Sequence, residues 1–334
     1  MIQTFRSYGP GFVFCALLGV AALALSEVSN IPVMMLALIF GLCFHKLSTT
    51  PSLCKGVGWT SRKLLYIGVA LLGLRIDISD LSQAGWAASA FVFAALALTL
   101  LFGTFTARVF GENRQFGLLM GGSVAICGIS AAAAICSAMD DCESRDRELT
   151  ITIAGITGLS TIAMILYPLV AHNLSLTAAQ TGLFLGGSIH NVSQAVGAGY
   201  SLTPETGDIT VIFKLLRVSA LLPVIICISL VSGTVSKLQN PSLGKKISAY
   251  FPPFLMAFIG LAALSCFNVV PDTVTQIGND TAKWCLIISL VAIGIKTNLR
   301  DVFTHGKKPL LAMTLTTAFM AGIILLGIYT LPII

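Results

Sequence analysis

Two runs of small and polar residues interrupt segments that are otherwise apolar, "GGSVAICGIS" at 121–130 and "GGSIHNVSQA" at 186–195. Glycine weakens a helix, and an unwound turn leaves free backbone N–H groups at the start of the next helix. Such amides bind anions at the positive end of a helix dipole. The runs therefore predict an oxyanion site of neutral donors, which we place at Gly121, Gly122, Ser123, Ser130, Gly186, Gly187, Ser188, His190, Asn191 and Gln194.

Two basic residues, Lys214 and Arg217, lie inside a later apolar segment and share one helix face by their i, i+3 spacing. Asp and Glu are absent from the centre of every predicted span, whereas a cation/proton exchanger needs a carboxylate at depth. We therefore predict that both residues bind an anionic substrate. The alternative is that the two side chains snorkel to the lipid headgroups.

The two runs also have a purely structural interpretation, because small residues let membrane helices approach closely. That interpretation fits "SAAAAICSA" at 130–138 well and "SIHNVSQA" at 188–195 poorly, since the second string carries bulky polar side chains. His190 has two interpretations of its own. It is either a neutral, hydrogen-bonded packing residue or a group that couples protons or gates the substrate.

The composition predicts an all-α integral membrane protein, because only 10% of the 334 residues are charged and 56% are hydrophobic. The first apolar run is read as a span and not as a signal peptide, since a second begins at Ile31. The Gly-rich fifth and seventh spans could instead be re-entrant hairpins. The eleven predicted transmembrane helices cover roughly 9–26, 31–47, 62–80, 84–107, 115–139, 149–171, 178–199, 208–231, 249–270, 281–299 and 309–332.

Charge placement predicts the orientation, because short cytoplasmic loops collect Lys and Arg. With the N-terminus inside, most of the 20 basic residues fall on the cytoplasmic side, and the acidic loop "DDCESRDRE" at 140–148 falls on the other. We expect a multi-pass protein of the bacterial inner membrane with a cytoplasmic N-terminus and a periplasmic C-terminus.

An internal repeat is predicted from "LLGLRIDISDLSQAG" at 71–85 and "AIGIKTNLRDVFTHG" at 292–306, which align without a gap. The copies lie seven crossings apart and so face opposite ways, as in inverted-repeat transporters. Chance similarity of apolar segments is the alternative. We predict one polytopic domain, 1–334, with candidate repeat halves at roughly 9–139 and 178–334. Arg75 and Lys296 are expected to snorkel or to pair with Asp77 or nearby loops.

Several function classes lack their motifs. The chain has no HExxH and no GxxxxGK[ST], so we expect neither an enzyme nor direct ATP hydrolysis. The nine cysteines are scattered without a CxxC pair, and we predict no metal, no cofactor and no disulfide. The formal charge of +6 reflects the cytoplasmic bias, and no nucleic-acid partner is expected.

At "GGSVAICGISAAAAI", "GGSIHNVSQAVGAGYS" and "GLRIDISDL" the sequence resembles the bacterial YeiH-like family of sulfate exporters, over nearly the whole chain. The resemblance implies a fold distantly similar to cation/proton antiporters and bile-acid symporters. We expect a secondary transporter that exports a small inorganic oxyanion such as sulfate or sulfite by alternating access at a midplane site. The alternative is a proton- or sodium-coupled antiporter or symporter of a small organic anion or sulfonate. Its partners would be the anion and membrane lipid, with a homodimer as a possible assembly.

Overall fold

The computed structural model describes residues 2–29, 31–75, 86–139, 145–231, 253–267, 269–296 and 307–331. Within those ranges the regular structure is helical, with no strand. Short 3-10 turns at His45–Thr49 and Leu72–Arg75 and a π-helical segment at Thr60–Leu64 adjoin the α-helices. The α-helices are α1 Ile2–Ser29, α2 Val33–Cys43, α3 Pro51–Trp59, α4 Leu65–Leu71, α5 Trp86–Val109, α6 Arg114–Ala125, α7 Ile129–Ala138, α8 Arg145–Asn173, α9 Ala178–Ser188, α10 Val192–Tyr200, α11 Pro204–Ser219, α12 Leu221–Val231, α13 Pro253–Cys266, α14 Asp272–Lys296 and α15 Lys307–Thr330.

Six stretches of helix in the described part of the chain are long and apolar enough to cross a bilayer. They correspond to the first, fourth, sixth, eighth, tenth and last predicted spans. The chain is therefore a multi-pass, all-α membrane protein, and the count of eleven spans stays a prediction. The six stretches are Tyr8–Ser29, Trp86–Val109, Arg147–Asn173, Pro204–Ile228, Asp272–Lys296 and Lys308–Thr330, and α2 and α13 are shorter apolar helices.

The chain divides into two units, each assembled from three separate stretches. Unit 1 contains Met1–Ser82, Val196–Asp208 and Pro253–Asn298, and unit 2 contains Gln83–Ala195, Ile209–Pro252 and Leu299–Ile334. The boundaries of the two units differ from those of the predicted repeat halves, roughly 9–139 and 178–334. The aligned repeat strings extend over 76–85 and 297–306, which lie outside the described residues, so the repeat stays a prediction.

Unit 1 is held together by helices that touch through glycine. A Cβ added at Gly41 of α2 would lie 2.3 Å from the Val291 carbonyl oxygen of α14, and one at Gly294 would lie 2.6 Å from the Leu38 oxygen. Backbone-to-backbone packing of this kind needs a residue without a side chain on each helix.

One ion pair in unit 1 revises the expectation for Arg75. Its Nε lies 2.9 Å from Oδ2 of Asp208, and the Tyr200 hydroxyl donates to the same carboxylate. Arg75 therefore pairs with a residue more than a hundred positions away in sequence, because α11 begins beside it within the unit. Asp77, its predicted partner, lies outside the described residues.

Unit 2 contains the start of both interrupted segments, and the sequence marks where each begins. The Asn113 side chain caps α6 by accepting from the Phe116 N–H at 2.6 Å. Thr177 and Gln180 form a reciprocal capping box at the start of α9, with both hydrogen bonds at 3.2 Å. The core behind α6 is apolar and consists of Ala107, Phe116, Met120, Val124, Ile156, Leu159, Ala312 and Met313.

Candidate functional site

Both glycine runs contain a helix break of three residues. The first separates α6, which ends at Ala125, from α7, which begins at Ile129. The second separates α9, which ends at Ser188, from α10, which begins at Val192. Each break leaves the last carbonyl groups of one half-helix and the first N–H groups of the next without partners in their own helix.

The backbone turns at Gly128 in the first break. This residue has φ 71° and ψ −116°, a conformation that a residue with a Cβ rarely adopts. Its N–H donates to the Ser123 carbonyl at 2.9 Å, which closes the last turn of α6. The glycine is thus required at the point where the helix stops.

The paired glycines lie before the breaks, and this corrects the expectation that they unwind the helix. Gly121 and Gly122 are helical residues of α6, and Gly186 and Gly187 are helical residues of α9. A Cβ at Gly186 would lie 2.5 Å from the Thr210 carbonyl oxygen. Their role in the fold is close packing, and the residues that leave the helix are 126–128 and 189–191.

Alanine at Gly186 is expected to destabilise the protein by about 1–3 kcal/mol, because the new methyl group meets backbone and Cβ atoms of α11 that cannot move aside. Gly322 is the matched control, since it lies in α15 of the same unit with nothing within 4 Å of an added Cβ. Thermal unfolding in detergent should show a loss for Gly186→Ala and none for Gly322→Ala. Equal melting temperatures for the two variants would contradict the packing role.

Lys214 and Arg217 lie on one face of α11, and both side chains are fully buried. The Lys214 ammonium donates to the carbonyl oxygens of Ile189 at 2.6 Å and Ile126 at 3.3 Å. It therefore bridges the first residue of each break. Neither side chain extends to the surface, in contrast to the snorkelling alternative.

The Arg217 guanidinium uses all of its donors on backbone oxygens. Nε donates to Ala125 at 2.9 Å, Nη2 donates to Val124 at 2.8 Å and Ala125 at 2.7 Å, and Nη1 donates to Ile189 at 3.1 Å and Gly186 at 3.4 Å. An arginine has five N–H groups, and these five hydrogen bonds use all of them. The acceptors belong to the C-terminal ends of α6 and α9, where the helix dipole is negative.

The positive charges of Lys214 and Arg217 are not compensated by a buried acidic residue in the described part of the chain. Lys214 and Arg217 are the only charged residues that the structure buries there, and no described Asp or Glu is buried. Carbonyl dipoles satisfy the hydrogen bonds but carry no formal charge. Burying a cation without a counter-ion is costly, so the interior of unit 2 is an environment that favours an anion.

His190 lies in the second break and has a partner for each ring nitrogen. Nδ1 lies 3.2 Å from the Val124 carbonyl oxygen, and Nε2 lies 2.9 Å from the Thr317 hydroxyl. A carbonyl can only accept, so Nδ1 carries the hydrogen and a neutral ring accepts from Thr317 at Nε2. The geometry fits the packing interpretation, and a proton-coupling or gating role stays a prediction.

The two predicted serine donors bond within their own helices. The hydroxyls of Ser123 and Ser188 donate to the carbonyls four residues earlier, Leu119 and Phe184. Back-bonding of this kind satisfies a buried hydroxyl and leaves its oxygen as an acceptor. Ser130, in the first turn of α7, is exposed, and its hydroxyl bonds to the Cys127 sulfur.

The second break is anchored to α8 by side-chain hydrogen bonds. The backbone N–H of Asn191 donates to the Ser160 hydroxyl at 3.1 Å, and Gln194 Nε2 donates to the Thr161 hydroxyl at 2.7 Å. The Thr161 hydroxyl itself donates to the Thr157 carbonyl, so the Gln194 amide orientation is fixed. Its Oε1 is buried without a partner among the described residues, and a water or a ligand would have to supply a donor.

The structure thus gathers part of the predicted set. Gly186, His190, Lys214 and Arg217 converge on the carbonyls of the two breaks. The Gln194 side chain bonds to α8, whereas the Asn191 side chain accepts from Ser193 of α10. Ser130 lies on the exposed side of α7. Sequence reasoning missed the backbone acceptors, which carry no side-chain signal. It also missed Ser160, Thr161 and Thr317, which are polar residues inside apolar helices and could have been found by that criterion.

Comparisons with known proteins place the chain in a family. The family model described as "Conserved hypothetical protein 698" matches residues 10–313. The UPF0324 membrane protein TauZ of Paracoccus denitrificans is 40% identical over 323 residues, covering 96% of this chain and 95% of the relative. A UPF0324 membrane protein of Rhizobium meliloti (strain 1021) is 39% identical, covering 97% of this chain and 94% of the relative. One of Chlorobaculum tepidum is also 39% identical, covering 96% of this chain and 89% of the relative. No solved structure matches. The expected YeiH-like membership is consistent with these matches, and the chain belongs to the UPF0324 family of membrane proteins.

Proposed function

We propose that this protein is a secondary transporter that carries a small inorganic oxyanion, such as sulfate or sulfite, out of the cell by alternating access. The site would lie at the two helix breaks of unit 2. On this proposal the chain has no enzymatic activity, resides in the bacterial inner membrane and has a cytoplasmic N-terminus and a periplasmic C-terminus.

The observation that carries the proposal is the pair of buried cations without a buried acid. Lys214 and Arg217 have no exposed surface, and both donate to backbone carbonyls of the described residues. Cations in a membrane interior mark ion pathways and normally have a counter-charge nearby. Since the described residues supply none, a transported anion is the natural counter-charge.

The groups that would touch the anion are the N-terminal ends of α7 and α10. Their first-turn N–H groups have no carbonyl partner within the helix, and half-helices in transporters direct such ends at anionic substrate groups. Lys214 and Arg217 bond to the C-terminal ends of the preceding half-helices and so position the breaks. Their positive charges would also stabilise the anion electrostatically. Direct ligation by Arg217 is not part of this proposal, because its guanidinium has no donor left. The Lys214 ammonium uses two of its three N–H groups on carbonyls of the described residues.

Export of an anion needs no chemical energy source. With the cell interior negative, the potential alone drives an anion outward by about 2.3 kcal/mol per charge at 100 mV. A uniporter is therefore sufficient, and proton coupling through His190 is not required.

Tracer flux in proteoliposomes tests the proposal. Purified protein should accelerate the uptake of labelled sulfate or sulfite when an inside-positive potential is imposed, and collapse of a proton gradient should leave the rate unchanged. A panel of small sulfonates would separate the organic-anion alternative. If no anion enters faster than into protein-free vesicles, or if only cations do, the proposal is wrong.

A further inference from the structure

Five backbone oxygens form one cluster at the two breaks, which we name the carbonyl cage: Val124, Ala125, Ile126, Gly186 and Ile189. The first three belong to the end of α6 and its break, and the last two belong to the end of α9 and its break. All five accept from Lys214 or Arg217 at distances of 2.6–3.4 Å. Ile189 accepts from both side chains and joins the two cations into one network.

A cage of this composition is what a coupling cation binds. In secondary transporters, unwound carbonyls and the C-terminal ends of half-helices coordinate the driving Na⁺ or H⁺. Hard cations take oxygen ligands, and carbonyl oxygens are among them. In this chain every oxygen of the cage already has a donor from a covalently attached cation.

We propose that Lys214 and Arg217 are tethered replacements for a coupling cation, so that the protein binds no sodium at its breaks and carries its anion independently of sodium. The statement that anion transport is independent of sodium rests on the proposed function. The statement that no sodium binds at the breaks does not, because it concerns only which groups donate to the carbonyl oxygens.

The charges of the region agree with this assignment. No buried Asp or Glu in the described ranges offers a second place for a sodium ion, and His190 has both nitrogens engaged. A cation fixed by its own side chain loses no translational freedom on binding, whereas a free ion does. The tethered groups would therefore outcompete sodium at physiological concentrations.

Sodium replacement in the wild-type protein is the first test. Tracer anion flux should be the same in sodium, potassium and N-methyl-D-glucamine media at constant ionic strength. A rate that rises with sodium and saturates would overturn the inference while leaving anion transport intact. An absence of anion flux in all three media would contradict the proposed function instead.

Emptying part of the cage is the second test, and it needs no transport. In Lys214→Met the apolar stem is kept and the ammonium is removed. The Ile126 oxygen then loses its donor, and the Ile189 oxygen keeps only its bond from Arg217. Ammonium chloride should raise the melting temperature of this variant in detergent by several degrees relative to tetramethylammonium chloride, which has no N–H. Wild-type protein should show no such difference.

The matched control is Lys55→Met, because Lys55 is an exposed lysine of α3. Its melting temperature should not respond to the choice of cation. If Lys214→Met responds to ammonium no more than Lys55→Met does, the cage is not a cation site. If Lys214→Met cannot be purified, the wild-type thermal shift still decides, since a sodium-specific rise there would show that the cage is open to a free cation.

Discussion

Arg217→Gln is expected to lower the free energy of unfolding by about 1–3 kcal/mol, the cost of leaving a buried carbonyl oxygen without its donor. The substitution takes the donors away from Val124, Ala125 and the second break, all inside unit 2. Val124 would keep its bond from His190, and Ile189 would keep its bond from Lys214. The buried oxygens of Ala125 and Gly186 would lose their donors, and glutamine offers two N–H groups in place of five. Denaturant or thermal unfolding in detergent measures the loss.

Arg108→Gln is the control for this prediction, because Arg108 lies exposed near the end of α5 in the same unit. Surface substitutions of this kind change stability by about 0.5 kcal/mol or less. Arg217→Lys should not restore the wild-type value, since an ammonium has three N–H groups in place of the five that the planar guanidinium directs at the two half-helix ends. Equal stability of the two glutamine variants would show that the network at the breaks contributes little.

Gly128→Ala is expected to abolish anion flux and to cost about 1–3 kcal/mol of stability, the range for a residue held in a sparsely populated backbone conformation. Alanine would be strained at the backbone, because φ is 71° here, and its Cβ would lie 3.0 Å from Ile156 Cγ2. The break can relieve both only by shifting the start of α7. The proposed site binds the anion at the N-terminal end of α7, so a shift of this end should abolish flux. Tracer flux and thermal unfolding are measured on the same preparation.

Gly111→Ala separates the two effects, because Gly111 also has a positive φ, 80°, but has nothing within 4 Å of an added Cβ. It should lose stability through the backbone and keep its flux. Full activity in Gly128→Ala would mean that the position of α7 does not matter for transport.

The membrane class and the location of the breaks followed from the sequence for physical reasons that act locally. Apolar length sets the helices, and a glycine-rich run ends a helix wherever a positive φ is needed, as at Gly128. The shared face of Lys214 and Arg217 followed from their spacing, whereas the choice between an inward direction and snorkelling needed the structure. The family resemblance rested on the same runs and is confirmed by the match over residues 10–313.

The role of the cations did not follow, because their partners are backbone oxygens. Val124, Ala125 and Ile126 are apolar in sequence, and nothing in a side chain marks a carbonyl as an acceptor for a residue about ninety positions away. The packing role of Gly186 was equally hidden, since it depends on α11 lying against α9. Sequence reports which residues can leave a helix, and tertiary contacts decide which groups they then meet.

Charge movement on a solid-supported membrane measures whether the protein carries an anion across the bilayer. A jump in sulfate or sulfite concentration over immobilised proteoliposomes should give a current of the sign of moving negative charge. The current should reverse when the gradient is reversed and persist when sodium is replaced by N-methyl-D-glucamine. A current on sodium or proton jumps, with none on either anion, would contradict the account of unit 2 as an anion pathway built around its own cations.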